Sequence, residues 1–139
     1  MRVFLRSEAE TVALGEVLGR NLSPGDLILL FGELGAGKTT LVRGIARGVG
    51  FRGRVSSPTF ALAHVYRGNP LTLHHLDLYR LKDADTEELG LEELLADPRG
   101  AMVVEWPQAA GRWPARRVEV RLSHERPGRR AVVTVKRAR

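Results

Sequence analysis

Residues Gly32-Glu33-Leu34-Gly35-Ala36-Gly37-Lys38-Thr39 fit the pattern G-x-x-x-x-G-K-[ST], a phosphate-binding loop. Its flanks make it a constraint on the fold. Upstream, Leu27-Ile28-Leu29-Leu30-Phe31 is a continuous apolar run bounded by polar and glycine residues, which reads as a buried strand. Downstream, Leu41, Val42, Ile45, Ala46 and Val49 recur at helical spacing. A strand that passes through such a loop straight into a helix belongs to an α/β domain.

The residue types follow from what a phosphate needs. Glycines let the backbone curl until its N–H groups converge on anionic oxygens. A helix starting near Lys38 adds amides without intrahelical partners and the positive end of its dipole. Lys38 is placed to reach the β- and γ-phosphates, and the Thr39 hydroxyl to ligate Mg²⁺. The loop therefore predicts binding of a nucleoside triphosphate.

Other classes fall away on composition. With no cysteine in 139 residues, disulfides, zinc–thiolate sites and thiol catalysis are excluded. No apolar run is long enough to span a bilayer, and Met1–Arg6 lacks the apolar core of a signal peptide, so a soluble, cytoplasmic protein without membrane contact is expected. The length suits one domain covering residues 1–139. The formal net charge is +6, densest in the C-terminal stretch that holds Arg116, Arg117, Arg121, Arg126, Arg129, Arg130 and Lys136. A basic surface of this kind suits nucleotides, RNA or acidic proteins, or serves solubility alone.

Along the chain, Met1–Leu5 reads as extended. Ser7-Glu8-Ala9-Glu10 has capping-box form, and Ala9, Val12, Ala13, Val17 and Arg20 predict one face of a helix that ends near Asn21. Phe60–Arg67 and Leu71–Asp77, parted by Gly68-Asn69-Pro70, read as a hairpin. One or two short helices are expected over 86–96, then an apolar strand at Ala101–Val104. Alternation at Val118, Val120 and Leu122 and at Ala131, Val133 and Val135 predicts a second hairpin, turning at Glu125–Gly128. The architecture is a three-layer α/β fold of the P-loop NTPase type, with a mixed parallel and antiparallel sheet.

A phosphate loop of this kind works with a carboxylate at a strand end. Asp77 and Glu105 each follow a predicted strand, and ligands of such sheets bind outside the carboxyl ends of the strands. One acid would serve Mg²⁺ and the other orient or deprotonate the attacking water; spacing does not say which. His74 and His75 read as buried or edge-strand residues rather than metal ligands. Trp106 and Trp113 read as core side chains, with stacking on a base the alternative. An ATPase, a small-molecule kinase, a nucleotide switch and a pure binding module all remain open at this point. The absence of an N-K-x-D segment argues against guanine specificity.

Four segments taken together, Gly32–Thr40, Ser57-Pro58-Thr59-Phe60, His75-Leu76-Asp77-Leu78-Tyr79-Arg80-Leu81 and Val104-Glu105-Trp106-Pro107, resemble the bacterial TsaE (YjeE) family in order and approximate spacing. The resemblance covers nearly the whole chain. It implies a Mg²⁺-dependent ATPase that assists formation of N6-threonylcarbamoyladenosine in tRNAs reading ANN codons. Such a protein acts with TsaB and TsaD, does not transfer the group itself, and meets tRNA indirectly through that complex. The resemblance also implies roles. Leu34, Gly35, Ala36, Gly37, Lys38, Thr39 and Thr40 would cradle ATP. Thr39 and Glu105 would hold Mg²⁺, and Lys38, Asp77 and Glu105 would carry hydrolysis. Glu8 and Thr11 would lie on the adenine side, and Ser57, Pro58 and Thr59 would form a switch-like loop.

Overall fold

A computed structural model of the chain describes residues 1–33, 35–55, 63–79, 93–94, 96–109 and 113–137. Its elements are β1 (Arg2–Leu5), α1 (Glu8–Arg20), β2 (Leu27–Phe31), α2 (Lys38–Gly48), β3 (Ala63–Arg67), β4 (Thr72–Asp77), β5 (Gly100–Glu105), β6 (Arg117–Glu125) and β7 (Gly128–Lys136), with a 3-10 turn at Pro107–Ala109. The strands form one sheet in the order β1-β7-β6-β2-β5-β4-β3.

Hydrophobic patterning sets that order. In β2, Ile28 and Leu30 enter one apolar cluster while Leu27 and Leu29 enter another, so both faces of the strand are buried. β5 divides in the same way, Ala101 and Val103 against Met102 and Val104. Strands apolar on both faces belong in the parallel centre of a covered sheet. β2 indeed pairs in parallel with β5 and β6, and β5 in parallel with β4. The flanks are antiparallel: β3 with β4, β6 with β7, and β7 with β1. In β6 and β7, Val120, Leu122, Ala131 and Val133 are buried in the first core cluster with Val118 packed against it, and no residue of either strand enters the second, as expected of a half-covered hairpin. Both expected hairpins and the mixed sheet are present, although residues 60–62 of the first expected strand lie outside the described residues.

The helices α1 and α2 cover one face. Leu41, Val42, Ile45, Ala46 and Val49 are buried in that layer, matching the predicted stripe. The other face is capped by Leu94, Trp106 and Trp113. Residues 93 and 94 are helical, while the rest of the helices expected over 86–96 lies outside the described residues, apart from the turn at Ala96.

α1 runs and stops as the sequence predicts but faces another way. Ser7 caps it by accepting the Glu10 N–H at 3.2 Å. Glu10 accepts the Arg6 N–H at 3.0 Å rather than that of Ser7, a shifted capping box. The predicted face of Ala9, Val12, Ala13, Val17 and Arg20 is a misreading: all but Val12 are exposed. The packed face is Thr11, Gly15 and Gly19, which are buried, with Leu14 and Leu18 partly buried beside them against the core. These glycines meet Gly44 and Gly48 of α2 at backbone distance. A Cβ on Gly15 would stand 2.5 Å from the Leu41 carbonyl oxygen, and one on Gly44 2.3 Å from that of Val12. Glycine has no side chain to register in an apolar stripe, so the most tightly packed face of α1 looks blank in the sequence.

Candidate active site

The two acids come together through strand register. β4 and β5 run in parallel with Asp77 paired to Glu105, so both carboxylates leave the sheet at the same height. Between β2 and α2, Gly35 and Gly37 take φ values of +81° and +102°, in the left-handed region. A Cβ at either would meet no atom within 4 Å, so conformation rather than space calls for glycine there. α2 begins immediately after Gly37, with no side-chain cap and no acid in its first turn. Its positive end is left to an anion from outside.

Lys38 is the first residue of α2 and is 5% exposed. Its Nζ donates to the Gly32 carbonyl at 2.6 Å and lies 3.5 Å from the centre of the Trp106 ring. Burial pushes its pKa down, against the pull of Glu105 and Asp77, which favour the charged form. Burial pushes the Asp77 carboxyl up, and the charge of Glu105 adds to this. The Tyr79 N–H, 3.0 Å from Asp77 Oδ1, works against it, as does the charge of Lys38. Lysine and two carboxylates thus share one half-dry site and feel one another's charge.

These groups line a cleft of about 610 Å³. Its lining comprises Lys38, Asp77, Tyr79, Glu105 and Trp106 together with Arg6, Ser7, Glu8 and Thr11 and the hairpin residues Pro127, Gly128 and Arg129. Gly35, Gly37, Thr39 and Thr40 border it as well. Of the residues singled out from the sequence, Glu8, Thr11, Gly35, Gly37, Lys38, Thr39, Thr40, Asp77 and Glu105 all meet here. Ala36 does not. Its side chain is 1% exposed in the core, and its N–H bonds to Glu33 O at 3.1 Å. Leu34 and the segment Ser57–Thr59 lie outside the described residues.

A family model for the threonylcarbamoyl adenosine biosynthesis protein TsaE matches residues 5–132. The chain belongs to the TsaE family. A protein named tRNA threonylcarbamoyladenosine biosynthesis protein TsaE from Synechocystis sp. is 42% identical over 118 residues, spanning 83% of this chain and 75% of its own length. A namesake from Nostoc sp. is 38% identical over 132 residues, 93% and 82% of the two chains. The crystal structure of Bacillus subtilis YdiB matches with a TM-score of 0.81 at 28% identity, covering 99% of this chain and 86% of that one.

In this TsaE-family chain the structure adds contacts in the cleft that sequence reasoning did not give. Trp106, read as a core residue with stacking on a base the alternative, packs against the second apolar cluster and also stands over Lys38, with Tyr79 at 4.9 Å between ring centres. Its φ of +56° is the one positive value outside glycine among the described residues, a strain on the order of 1–3 kcal/mol. Its position directly after Glu105 was the available signal. Trp113 keeps the core role, with its indole N–H on Pro107 O at 2.8 Å. Arg129 had no local signal: it is distant in sequence, yet its Nη2 donates to Gly35 O at 3.2 Å. His74 and His75 are buried, as expected, and His75 is hydrogen-bonded to Glu105.

Proposed function

We propose that the chain is a Mg²⁺-dependent ATPase serving the formation of threonylcarbamoyladenosine in tRNA, working beside TsaB- and TsaD-type proteins. The observation that carries this reading is the register pairing of Asp77 with Glu105, facing Lys38 at the head of α2. A lysine, a helix N-terminus and two carboxylates make a site for a triphosphate and its metal. The family and the names of its members support the tRNA context.

The residues present fit the metal. Mg²⁺ prefers oxygen donors and takes only one or two from protein beside phosphates and water. The Thr39 hydroxyl and the Glu105 carboxylate supply such donors at the border of the cleft. A Mg²⁺ ion held there would supply positive charge against the charge of the phosphates. Lys38 exchanges the Gly32 carbonyl for phosphate oxygens. Asp77, its carboxyl raised by burial, accepts or orients the proton of the attacking water. Glu8, Thr11 and Thr40 also line the cleft and would serve the nucleoside.

The test is phosphate release from Mg·ATP by the wild-type protein and by Asp77→Ala and Glu105→Ala, each with and without TsaB- and TsaD-type partners. Turnover should be slow alone and increased by the partners. It should fall by about 100-fold or more in either variant, with nucleotide affinity less affected. Full activity of both variants in the presence of partners would overturn the assignment. Labelled γ-phosphate appearing on a metabolite rather than as free phosphate would favour a kinase.

A further inference from the structure

Glu105 is 4% exposed although it lines the cleft, so something must hold its carboxylate in one place. Three neighbouring strands provide the hold. His75 of β4, 0% exposed, brings Nε2 to 2.6 Å from Glu105 Oε2. Tyr66 of β3 brings its hydroxyl to 3.2 Å from His75 Nδ1 and packs against Phe51, ring centres 5.1 Å apart. An ionised carboxylate only accepts, so Nε2 carries the hydrogen; a neutral imidazole then accepts the Tyr66 hydroxyl at Nδ1. The chain of bonds has one consistent direction, and it ends on one oxygen of Glu105.

The adjacent histidine shows what a merely packed one looks like here. His74 reaches Asp97 at 3.0 Å, its Nδ1 is buried with no hydrogen-bond partner among the described residues, and Asp97 is not among the described residues that line the cleft. His75 has both nitrogens engaged, and the acid it holds faces the phosphate loop.

We propose that His75 is a positioning residue: it fixes the Glu105 carboxylate for the metal of the ATP complex, and Tyr66 fixes the imidazole. This rests on the ATPase reading above. Partners that orient a metal-binding side chain are typically worth about 10–100-fold in metal affinity.

The test uses calorimetric binding of a non-hydrolysable ATP analogue, first without metal and then across a Mg²⁺ titration. His75→Ala should leave the metal-free affinity as in wild type and raise the Mg²⁺ concentration at half-effect by about 10-fold or more. His75→Gln, whose amide can donate in place of Nε2, should recover most of that loss. Tyr66→Phe should shift the Mg²⁺ dependence in the same direction by less. A purely structural role would instead weaken binding with and without metal together. Wild-type Mg²⁺ dependence in a folded His75→Ala would overturn the proposal. Should His75→Ala not fold, unchanged dependence in Tyr66→Phe would do so. If Mg²⁺ does not tighten analogue binding by the wild type, the metal-dependent reading itself fails, and this inference with it.

Discussion

Asp77 illustrates how a residue proposed to act in catalysis can weaken the fold that carries it. Burial, and then the charge of Glu105, raise its carboxyl above the ordinary value, so the native state takes up this proton before the unfolded chain does. Its favourable contribution is therefore complete in acid and lost as pH rises through the raised value. At neutral pH the ionised group opposes folding. Asp77→Asn should accordingly melt a few degrees above the wild type at pH 7 while losing hydrolysis. The gain should disappear as the pH falls below the ordinary aspartate range. Thermal denaturation from pH 7 downward checks this, and an Asn variant less stable at pH 7 would contradict it. The spacing of the chain indicated both Asp77 and Glu105. It did not indicate their pairing to one height, which depends on the parallel register of β4 and β5.

Among the elements, the α1–α2 contact decides where the phosphate loop sits, because α2 starts at Lys38 and is pressed against α1 through bare backbone. Gly44→Ala sets two effects in opposition. Alanine improves helix propensity by about 1 kcal/mol. Its Cβ would stand 2.3 Å from Val12 O and 2.9 Å from Gly15 Cα, and backbone atoms of a neighbouring helix cannot step aside cheaply. Overpacking of this kind costs about 1–3 kcal/mol, so the variant should be destabilised overall. Urea denaturation would show a lower midpoint; an unchanged or higher one would mean the helices separate easily. The stripe of α2 was legible because its core residues are large and apolar. The face of α1 was misread because its most buried contact residues are glycines, which leave only Leu14 and Leu18 to mark it in the sequence.

For the whole molecule, the outer strands replace a second apolar face with charge. Glu119 of β6 is buried, and its carboxylate collects Arg117 at 2.8 Å, Arg121 at 3.5 Å and Lys136 of β7 at 3.5 Å. Burial acts to raise this carboxyl, but the Arg117 hydrogen bond and the charges of Arg117, Lys136 and Arg121 outweigh it and hold the value down. A depressed carboxyl stabilises above its unfolded value, and the effect is lost as pH falls through the folded one. Glu119→Gln should thus be less stable at neutral pH, by about 1 kcal/mol at most since two of the cations are half exposed. The deficit should shrink as the pH falls through the acidic carboxylate range. A constant deficit across pH, read from denaturation midpoints, would assign it to packing instead.

The sequence by itself determined the phosphate loop, the strand and helix on either side of it, both hairpins and the two acids. Each of these is written locally, in hydrophobic period, glycine placement or the end of an apolar run. Tertiary structure alone decided that α1 packs through Gly15 and Gly19, that Arg129 reaches the loop, that Trp106 stands over Lys38, and that His75 holds Glu105. Those contacts join strands or loops far apart in the chain, or depend on side chains that are absent, and neither leaves a periodic trace. The loop Gly32–Thr39 could suggest a triphosphate because its motif is contiguous; the two acids, the aromatic cover and the histidine behind them needed the sheet to bring them to it.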